Sequence, residues 1–294
     1  MSAIDLATLP VPDAVERLDF ETILAETTEA FKTLAPDYAD VIDLESEPLL
    51  KLMQVGAYRE LLMRARANDS VRAVLLATAT GADLDNLVAI HGVVRQVIVE
   101  ADPDAVPPVA AVLEDDEALR QRAQLAPEAW TNAGTVASYA YHALSADGRV
   151  RDVAITRPGP GQVLVTVLSH EAGGVPSADL LAAVSAVIEE VRPLCDDTAV
   201  AAPSFVDFAV QATLVVPPGP GAEVIRAAAL EAVQDYVEDE LAVGRIVRQT
   251  ALLARLHQSG VDHVILTAPA ADIDPGRTGV ARASAITIAT EVAS

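Results

Sequence analysis

The first third of the chain has apolar residues at helical spacing. Residues 13–34 predict a first helix, with Asp19 near its start. Residues 43–78 are helical in pattern over almost their whole length, and Pro48 lies near the start, where its missing N–H does least harm. Unbroken, that stretch would measure about 54 Å at roughly 1.5 Å per residue. We therefore expect a break near Asn68–Ser70, because Asn, Asp and Ser all favour helix caps.

The apolar stripe of this long helix is two rows wide. One row contains Leu50, Met53, Ala57 and Leu61, and the next contains Leu52, Val55, Tyr58 and Leu62. A helix on the surface of a single domain needs only one such face. The pattern therefore predicts a helical bundle, part of which other chains supply. The candidate interface residues are Leu50, Leu52, Met53, Val55, Tyr58, Leu61 and Leu62.

Two aspartates open the next predicted helix, in the stretch ATGADLDNLVAIHGVV. Asp83 stands where an N-cap is expected, and Asp85 falls in the first turn, where the helix dipole favours a negative charge. Side chains two residues apart on a helix point about 200° apart, so these carboxylates do not converge. We interpret both as helix-start residues, and not as a catalytic pair.

Strands and helices alternate in the rest of the chain. Residues 99–113 (VEADPDAVPPVAAVL) have no clear period and predict a proline-rich linker. Residues 114–130 are charged and helix-prone, with an interruption at Pro127. Strands are predicted at 150–156, 162–169, 198–202, 205–216 and 261–267, with a weak edge strand at 281–293. Helices are predicted at 134–144, 177–191, 222–241 and 249–258.

The motif PGPG occurs twice, each time beside a predicted strand. Its prolines lack the N–H groups that would bind a phosphate, so a tight turn is the better interpretation. The candidate turn or hinge residues are Gly159, Gly161, Gly219 and Gly221.

An internal similarity links the two halves of the alternating region. HALSADGRVRDVAITRP (142–158) resembles ARLHQSGVDHVILTAP (254–269), with helix, glycine and strand in the same order. The similarity is short and leaves open whether the two halves are related by duplication. The predicted fold class is α+β, with a helical bundle-forming region at 1–98, the linker at 99–113, and two small sheet-plus-helix units at 114–203 and 204–294.

Composition narrows the function. Among 294 residues, 43 acids and 20 bases give a net charge of −23, a field that repels nucleic acid. No apolar run is long enough to span a membrane, and the N-terminus lacks the pattern of a signal peptide. The single cysteine, Cys195, forms no internal disulfide, which is typical of a reducing cytosol. We expect no contact with nucleic acid or membrane.

Candidate catalytic and metal-binding residues form no recognised motif. Ser169, His170 and Glu171 are adjacent, but neighbouring strand residues point to opposite faces. Cys195 lies beside acids that disfavour a thiolate. The five histidines lack ligand spacing, and no phosphate loop or dinucleotide-binding motif is present. The acid pairs Asp115-Asp116, Glu189-Glu190 and Asp196-Asp197 lack a calcium-loop register. The sequence predicts no enzyme, no cofactor and no metal site.

Several segments resemble the baseplate J proteins of contractile-tailed phages and phage-tail-like particles. They include LDFETILAE (18–26), LESEPLLKLMQVGAYRELLMRARAND (44–69), ATGADLDNLVAIHGVVR (79–95), ALRQRAQLAPEAWTNAG (118–134), YHALSADGRVRDVAITRPGPGQVLVTVLS (141–169) and VRPLCDD (191–197). Their order and spacing cover nearly the whole chain. Val243 before Gly-Arg, and Cys195 in place of an expected threonine, depart from the family pattern, and the tail after Ala281 matches least.

The resemblance implies a structural part of the baseplate wedge in a virion tail, assembled in the bacterial cytoplasm. The implied partners are further copies of the chain, an I-type wedge subunit, a W-type sheath initiator and the hub. The N-terminal helices would enter the wedge bundle, and the two α+β units would join wedges into a ring that widens on contraction. Residues 99–113 and 217–221 are candidate hinges. An adaptor or scaffold protein unrelated to phage tails is the alternative.

Overall fold

The computed structural model describes residues 4–42, 44, 46–130, 134–218 and 221–292. The chain divides into two compact units, with the boundary between Val94 and Arg95. The regular elements described in the first unit are all helices, and the second unit combines small sheets with helices. The predicted α+β class is confirmed, whereas the finer division at residues 98, 113 and 203 stays a prediction.

The first unit begins with helix α1 (Phe20–Leu34). Its start lies seven residues later than predicted, because Asp19 has extended backbone and caps the helix instead of continuing it. The Thr22 amide donates to the Asp19 carboxylate at 2.8 Å, and this bond lowers the pKa of Asp19. Helix α2 (Pro48–Ala73) follows, with proline at its first position.

The predicted break in α2 at Asn68–Ser70 is wrong, because the helix runs through these residues. It is about 39 Å long at roughly 1.5 Å per residue. The Asn68 side chain is buried and bonds the backbone of Glu16. The Ser70 hydroxyl donates to the Arg66 carbonyl at 2.8 Å. Both polar side chains therefore find partners without ending the helix.

Helix α3 (Gly81–Val88) corrects a second prediction. Thr80, with extended backbone, is the N-cap, and Asp83 lies inside the first turn. Leu84 and Val88 are buried on one side of this short helix. A 3-10 turn follows α3 and ends at Gly92, whose φ of 72° is one that glycine adopts readily.

The second unit opens with a two-stranded hairpin of β1 (Val97–Val99) and β2 (Val112–Leu113). An antiparallel bridge between Asp102 and Val109 extends the pairing into the loop. The segment predicted as a linker therefore has regular pairing of its own, and its prolines lie in the hairpin loop. Helix α4 (Asp116–Leu125) and a 3-10 turn (Ala126–Trp130) follow.

A first three-stranded sheet forms the middle of the chain. Its elements are α5 (Val136–Ala146), β3 (Val150–Thr156), β4 (Gln162–Ser169), α6 (Ala178–Val191) and β5 (Asp197–Ala201). The strand order is β3-β4-β5, antiparallel between β3 and β4 and parallel between β4 and β5. Both helices pack on this sheet. The buried core residues are Tyr139, Ala143, Val150, Val165, Val167, Leu180, Val184 and Ile188.

A second three-stranded sheet follows. Its elements are β6 (Ser204–Val216), α7 (Ala222–Asp239), α8 (Gln249–Leu256), β7 (His263–Ala268) and β8 (Gly279–Val292). The order is β7-β6-β8, and the predicted edge strand near the C-terminus pairs in parallel with β6 along its length. Alternate residues of β6 enter the core: Phe208, Val210, Ala212, Leu214 and Val216.

The two sheets have the same arrangement with a different chain order. In each, a central strand has one antiparallel and one parallel neighbour. In each, the antiparallel neighbour is preceded by a helix, α5 before β3 and α8 before β7. The internal sequence similarity falls on these two equivalent helix–strand pairs. The central strand follows its antiparallel neighbour in the first sheet and precedes it in the second, so common origin stays a prediction.

Candidate functional site

Helix α2 separates its two apolar rows. Ala57 is fully buried, and Leu50, Met53 and Leu61 of the same row are partly buried. Helix α1 packs against α2. This row therefore supplies the core of the first unit, and the predicted interface role of Leu50, Met53 and Leu61 stays a prediction.

Asn68 holds the chain before α1 against α2. Its side-chain oxygen accepts from the Glu16 amide at 3.0 Å, and its side-chain nitrogen donates to the Glu16 carbonyl at 2.8 Å. One turn earlier on α2, Arg64 contacts the carboxylates of Glu60 at 2.6 Å and Glu16 at 3.4 Å. A buried amide that satisfies both backbone groups of one residue fixes the register of the incoming chain.

The second row lies on the surface. Leu52, Val55, Tyr58 and Leu62 are 67%, 58%, 53% and 44% exposed, and Met63 beside them is 74% exposed. Apolar residues grouped on one helix face and left open to solvent are typical of a protein–protein contact. The structure thus places four of the seven predicted interface residues on the surface.

Exposed apolar residues are concentrated in the first unit as a whole. Among described residues, sixteen of the thirty exposed large hydrophobic side chains precede Arg95, but only seven of the thirty-five buried hydrophobic residues do. The first unit is about a third of the chain, so it has a small core and a large apolar surface. That imbalance is typical of a segment that completes its core with another chain.

A buried ion pair anchors the hairpin of the second unit. Arg122 of α4 binds Glu114 through two bonds, at 2.7 and 2.6 Å, and both side chains are less than 10% exposed. The Gln96 amide donates to the same carboxylate at 3.1 Å. Arg95 donates to the Glu114 carbonyl at 2.6 Å and to the Asp116 carboxylate at 2.6 Å. The base of the hairpin is thereby tied to α4.

Gly148 lets the hairpin approach the middle sheet. A Cβ atom at this position would overlap the Val97 carbonyl and lie 3.2 Å from the Gln96 Cβ. The Gln96 side chain also donates to the Ser145 carbonyl at 3.1 Å. Glycine is therefore required by the close approach of the β1 backbone.

Charged residues join the two sheets at one junction. Arg151 of β3 forms an ion pair with Glu238 of α7 and donates to the Glu238 carbonyl at 2.7 Å. The Asp152 carboxylate accepts from the Val243 amide at 2.8 Å. Burial raises the pKa of Asp152, and the bonds from backbone amides and the charges of Arg245 and Arg151 oppose that rise.

A second junction involves Arg282 of β8. Its guanidinium binds the Asp207 carboxylate at 2.8 Å, donates to the Gly173 carbonyl at 3.2 Å and lies 4.5 Å from the centre of the Phe205 ring. This bonding lowers the pKa of Asp207. A Cβ atom on Gly174 would come within 2.7 Å of Leu168, so glycine allows the loop before α6 to pack here.

The residues considered as catalytic candidates are Ser169, His170 and Cys195. The buried Ser169 hydroxyl donates to the Arg149 carbonyl at 3.2 Å and accepts from the Glu171 amide at 3.0 Å. The His170 ring is exposed, although partial desolvation and, secondarily, Arg151 lower its pKa. Cys195 is exposed. The hydroxyl of Ser169 is therefore bonded to backbone groups and not to the ring of His170.

The acidic residues singled out in the sequence also have structural contacts. Asp115 caps α4 through the Glu117 and Ala118 amides, at 2.8 and 2.9 Å. Asp196 accepts from the Tyr139 hydroxyl at 2.7 Å. Desolvation, and then the bond to Asp196, raise the pKa of Tyr139.

Glu189, Asp83 and Asp85 lie on helices. Glu189 binds Arg192 at 2.6 Å, and the Arg192 bond lowers its pKa. Asp83 is exposed and Asp85 is partly buried, two positions apart on α3. Within the described ranges, no group of three or more His, Cys, Asp or Glu side chains could hold a metal ion.

The PGPG motifs are only partly described. At the first, Gly161 has φ of 72°, and the Gln162 amide donates to the Gly159 carbonyl at 3.2 Å, in a turn between β3 and β4. At the second, Gly221 is the N-cap residue of α7, and Gly219 lies outside the described residues. The hinge role of these four glycines stays a prediction. Among described helices, none is long and apolar enough to cross a membrane.

Three features were missed in the sequence. The Glu114–Arg122 pair and the Asn68 bonds depend on tertiary contacts, which residue spacing does not show. Gly56 in α2 did carry a signal, because an interior helical glycine between apolar residues is unfavourable unless something approaches it closely.

The helix face of exposed apolar residues is typical of a subunit that works in a larger assembly. Three family models match the chain: the baseplate J-like N-terminal domain at residues 45–102, the central domain at 131–202 and the C-terminal domain at 208–289. The chain is 46% identical over 280 residues to baseplate protein J of Escherichia phage P2, covering 93% of each protein. The chain therefore belongs to the baseplate J-like family, a family of structural proteins of phage-tail baseplates.

A solved structure is also similar in part. A chain in the cryo-EM structure of the anti-feeding prophage (AFP) baseplate, 6-fold symmetrised, is 19% identical, with a TM-score of 0.41. The match covers 60% of this chain and 43% of that chain. A TM-score of 0.41 is too low to establish a common fold, so the family assignment rests on the other two comparisons.

Proposed function

We propose that the protein is a non-enzymatic subunit of the baseplate wedge of a contractile tail. The first unit enters a helical bundle with an I-type wedge subunit and further copies of the chain. The second unit forms the contacts between wedges, and the assembled wedges surround the hub beneath a W-type sheath initiator. Assembly takes place in the host bacterial cytoplasm, and the mature location is the baseplate of the tail.

The apolar surface of the first unit carries this proposal. Leu52, Val55, Tyr58 and Leu62 leave a continuous row of α2 open to water, beside a core that contains few buried residues. Completing a bundle with helices from other chains would bury that row. Membership of the baseplate J-like family supplies the setting, and it weighs against an adaptor unrelated to phage tails.

A change of interface packing is the mechanism we propose for contraction. Packed interfaces switch between discrete arrangements instead of deforming continuously, so a signal at the baseplate can bias one arrangement over the other. Residues 99–113 and 217–221 are the proposed hinges. If Gly221→Ala, at a position with open space around it, leaves assembly and contraction unchanged, the second hinge is to be dropped.

The test of the bundle is the stoichiometry of the assembled protein. The chain would be co-expressed with its genomic neighbours and measured by light scattering after size exclusion. A stable complex with two copies of this chain and one partner supports the proposal. If the chain remains a monomer and binds none of the co-expressed proteins, the proposal is contradicted.

The non-enzymatic role has its own test. Alanine substitutions at His170 and Cys195 should leave the helical bundle with the partner intact, because neither side chain lies on α2. Loss of particle function with normal assembly would instead indicate chemistry at these residues.

A further inference from the structure

One side of α2 combines apolar and basic residues, and we name it the open face. Its apolar members are Leu52, Val55, Leu62 and Met63, its basic members are Lys51, Arg59 and Arg66, and it includes Gly56. All eight residues are exposed. Positions 52, 55, 59, 62 and 66 alternate spacings of three and four, the spacing of a coiled-coil seam. A second α-helix can present side chains at the same spacing and pack against this row along its length.

The basic residues of the open face lack ion-pair partners in the part of the chain that the structure describes. Lys51, Arg59 and Arg66 are each exposed and form no ion pair with any described residue, in a protein with 43 acids and 20 bases. Elsewhere on the same helix, Arg64 binds Glu60 at 2.6 Å and Arg72 lies 3.7 Å from Asp69. Within α2, the basic residues without an ion pair among the described residues thus lie on the same side as the exposed apolar residues.

Gly56 has no steric role among the residues that the structure describes. A Cβ atom at this position would meet no other atom within 4 Å, although glycine inside a helix is less favourable than alanine. The missing side chain leaves a notch in the open face beside Leu52 and Arg59. A second helix crossing at that notch could bring its backbone unusually close to α2.

We propose that the open face binds an acidic amphipathic helix of a partner protein, which crosses α2 at Gly56. Apolar residues of the partner cover Leu52, Val55 and Leu62, and its Asp or Glu residues face Arg59 and Arg66. The proposal rests on the bundle of the proposed function and names the chemistry of the occupant. A parallel second copy of α2 would place Arg59 against Arg59 and Arg66 against Arg66, which is unfavourable.

Two designed helical peptides of about four heptads are the probes, both with Leu at positions a and d. One has Glu at positions e and g, and the other has Lys. Binding of each labelled peptide to the full chain would be measured by fluorescence anisotropy. We expect the Glu peptide to bind at least about tenfold more tightly, and the double variant Arg59→Glu/Arg66→Glu to reverse that preference.

The variant Gly56→Ala separates a contact role from a structural one. It should raise the urea midpoint of the chain, because alanine favours the helix, and yet weaken binding of the Glu peptide. Arg72→Glu, on the same helix but outside the open face, is the matched control and should leave the preference between peptides unchanged.

Several results would overturn the proposal. They are equal binding of the two peptides, binding of neither, or a preference that survives the Arg59→Glu/Arg66→Glu change. A further one is a Val55→Cys variant, made with Cys195→Ser, that forms disulfide-linked homodimers, since a second copy would then cover the face. If a complex with a genomic neighbour forms and tolerates Arg59→Glu/Arg66→Glu, the proposed function stands and this surface is wrong. If no such complex forms, the proposed function fails, and the peptide measurements alone show whether the open face binds an acidic helix.

Discussion

At the scale of single residues, the polar side chains of the second unit determine how its parts are held together. Glu114 and Arg122 form a buried ion pair, whereas Asp207 and Arg282 form an exposed one that lies across two strands. Both charges of a buried ion pair lose their hydration, so removing either partner leaves the other charge buried and lowers the stability of the fold. Residue type alone does not distinguish the two pairs, so their different energetic costs could not be predicted from the sequence.

The first prediction concerns Glu114→Gln. The substitution keeps the shape of the side chain but leaves the Arg122 charge buried without its counter-charge. We expect a loss of about 3–5 kcal/mol in the free energy of unfolding, measured with urea. Glu117→Gln, which removes the exposed partner of Arg120, is the matched control and should cost no more than about 1 kcal/mol. Equal losses in the two variants would show that the buried pair has no special weight.

The second prediction compares Asp152 with Asp207 as pH changes. Burial raises the pKa of Asp152 in the folded protein. Protonated Asp152 therefore contributes to the free energy of unfolding at low pH, and this contribution is lost as pH rises through the folded pKa. The pKa of Asp207 is lowered by Arg282, so its contribution is present above the ordinary value of 3.8 and lost as pH falls through the folded pKa.

Asparagine variants at these two positions should therefore respond to pH in opposite directions. As pH rises, Asp152→Asn should gain stability relative to wild type between pH 4 and pH 7, and Asp207→Asn should lose stability relative to wild type mainly below the ordinary carboxyl pKa of 3.8. Urea unfolding at a series of pH values gives both differences. Parallel trends for the two variants would contradict the assignment of burial and ion pairing as their separate causes.

At the scale of elements, local patterns predicted some parts of the fold and not others. The bounds of β3 and β4 agree with the alternating patterns at 150–156 and 162–169, because the RPGPG turn between them is local chemistry. The hairpin of β1 and β2 was not predicted, since its strands are short and its anchor, Gly148, lies far along the sequence. The two rows of α2 were predicted, but only packing shows which row stays exposed.

The third prediction concerns the anchor of that hairpin. Gly148→Ala would push the hairpin away from the middle sheet, because the new methyl group overlaps the Val97 carbonyl. We expect a loss of about 1–3 kcal/mol in unfolding free energy and faster amide hydrogen exchange in β1. Gly221→Ala, where no atom lies within 4 Å, should change stability by about 0.5 kcal/mol or less. Unchanged exchange in β1 would show that the hairpin does not depend on Gly148.

At the scale of the whole molecule, the two units differ in self-sufficiency. Most of the buried hydrophobic residues belong to the second unit, and the largest core surrounds β6. Sequence periodicity located both units but did not measure this difference, because a pattern shows which residues are apolar and not how many become buried. We expect the second unit to be stable by itself and the first to be stabilised by contacts with other chains.

The fourth prediction follows from that difference. A fragment of residues 95–294 should fold as a monomer with one cooperative unfolding transition. A fragment of residues 1–94 should self-associate or remain partly unfolded until a partner is added, because its apolar surface exceeds its core. Circular dichroism and light scattering would test both. A stable, monomeric 1–94 fragment would contradict the view that its core is completed by other chains.

The parallel pairing of β6 with β8 has a consequence during protein synthesis. Ser204 pairs with Gly279 and Val216 pairs with Val292. The β8 partner of each β6 residue is therefore synthesised roughly 75 residues later. At about 5–20 residues per second, a ribosome needs about 4–15 seconds to produce that stretch. Throughout this interval one edge of an apolar strand has no neighbour, and it is open to aggregation or to chaperones. We therefore expect the yield of folded protein to depend on how quickly the last strand is translated.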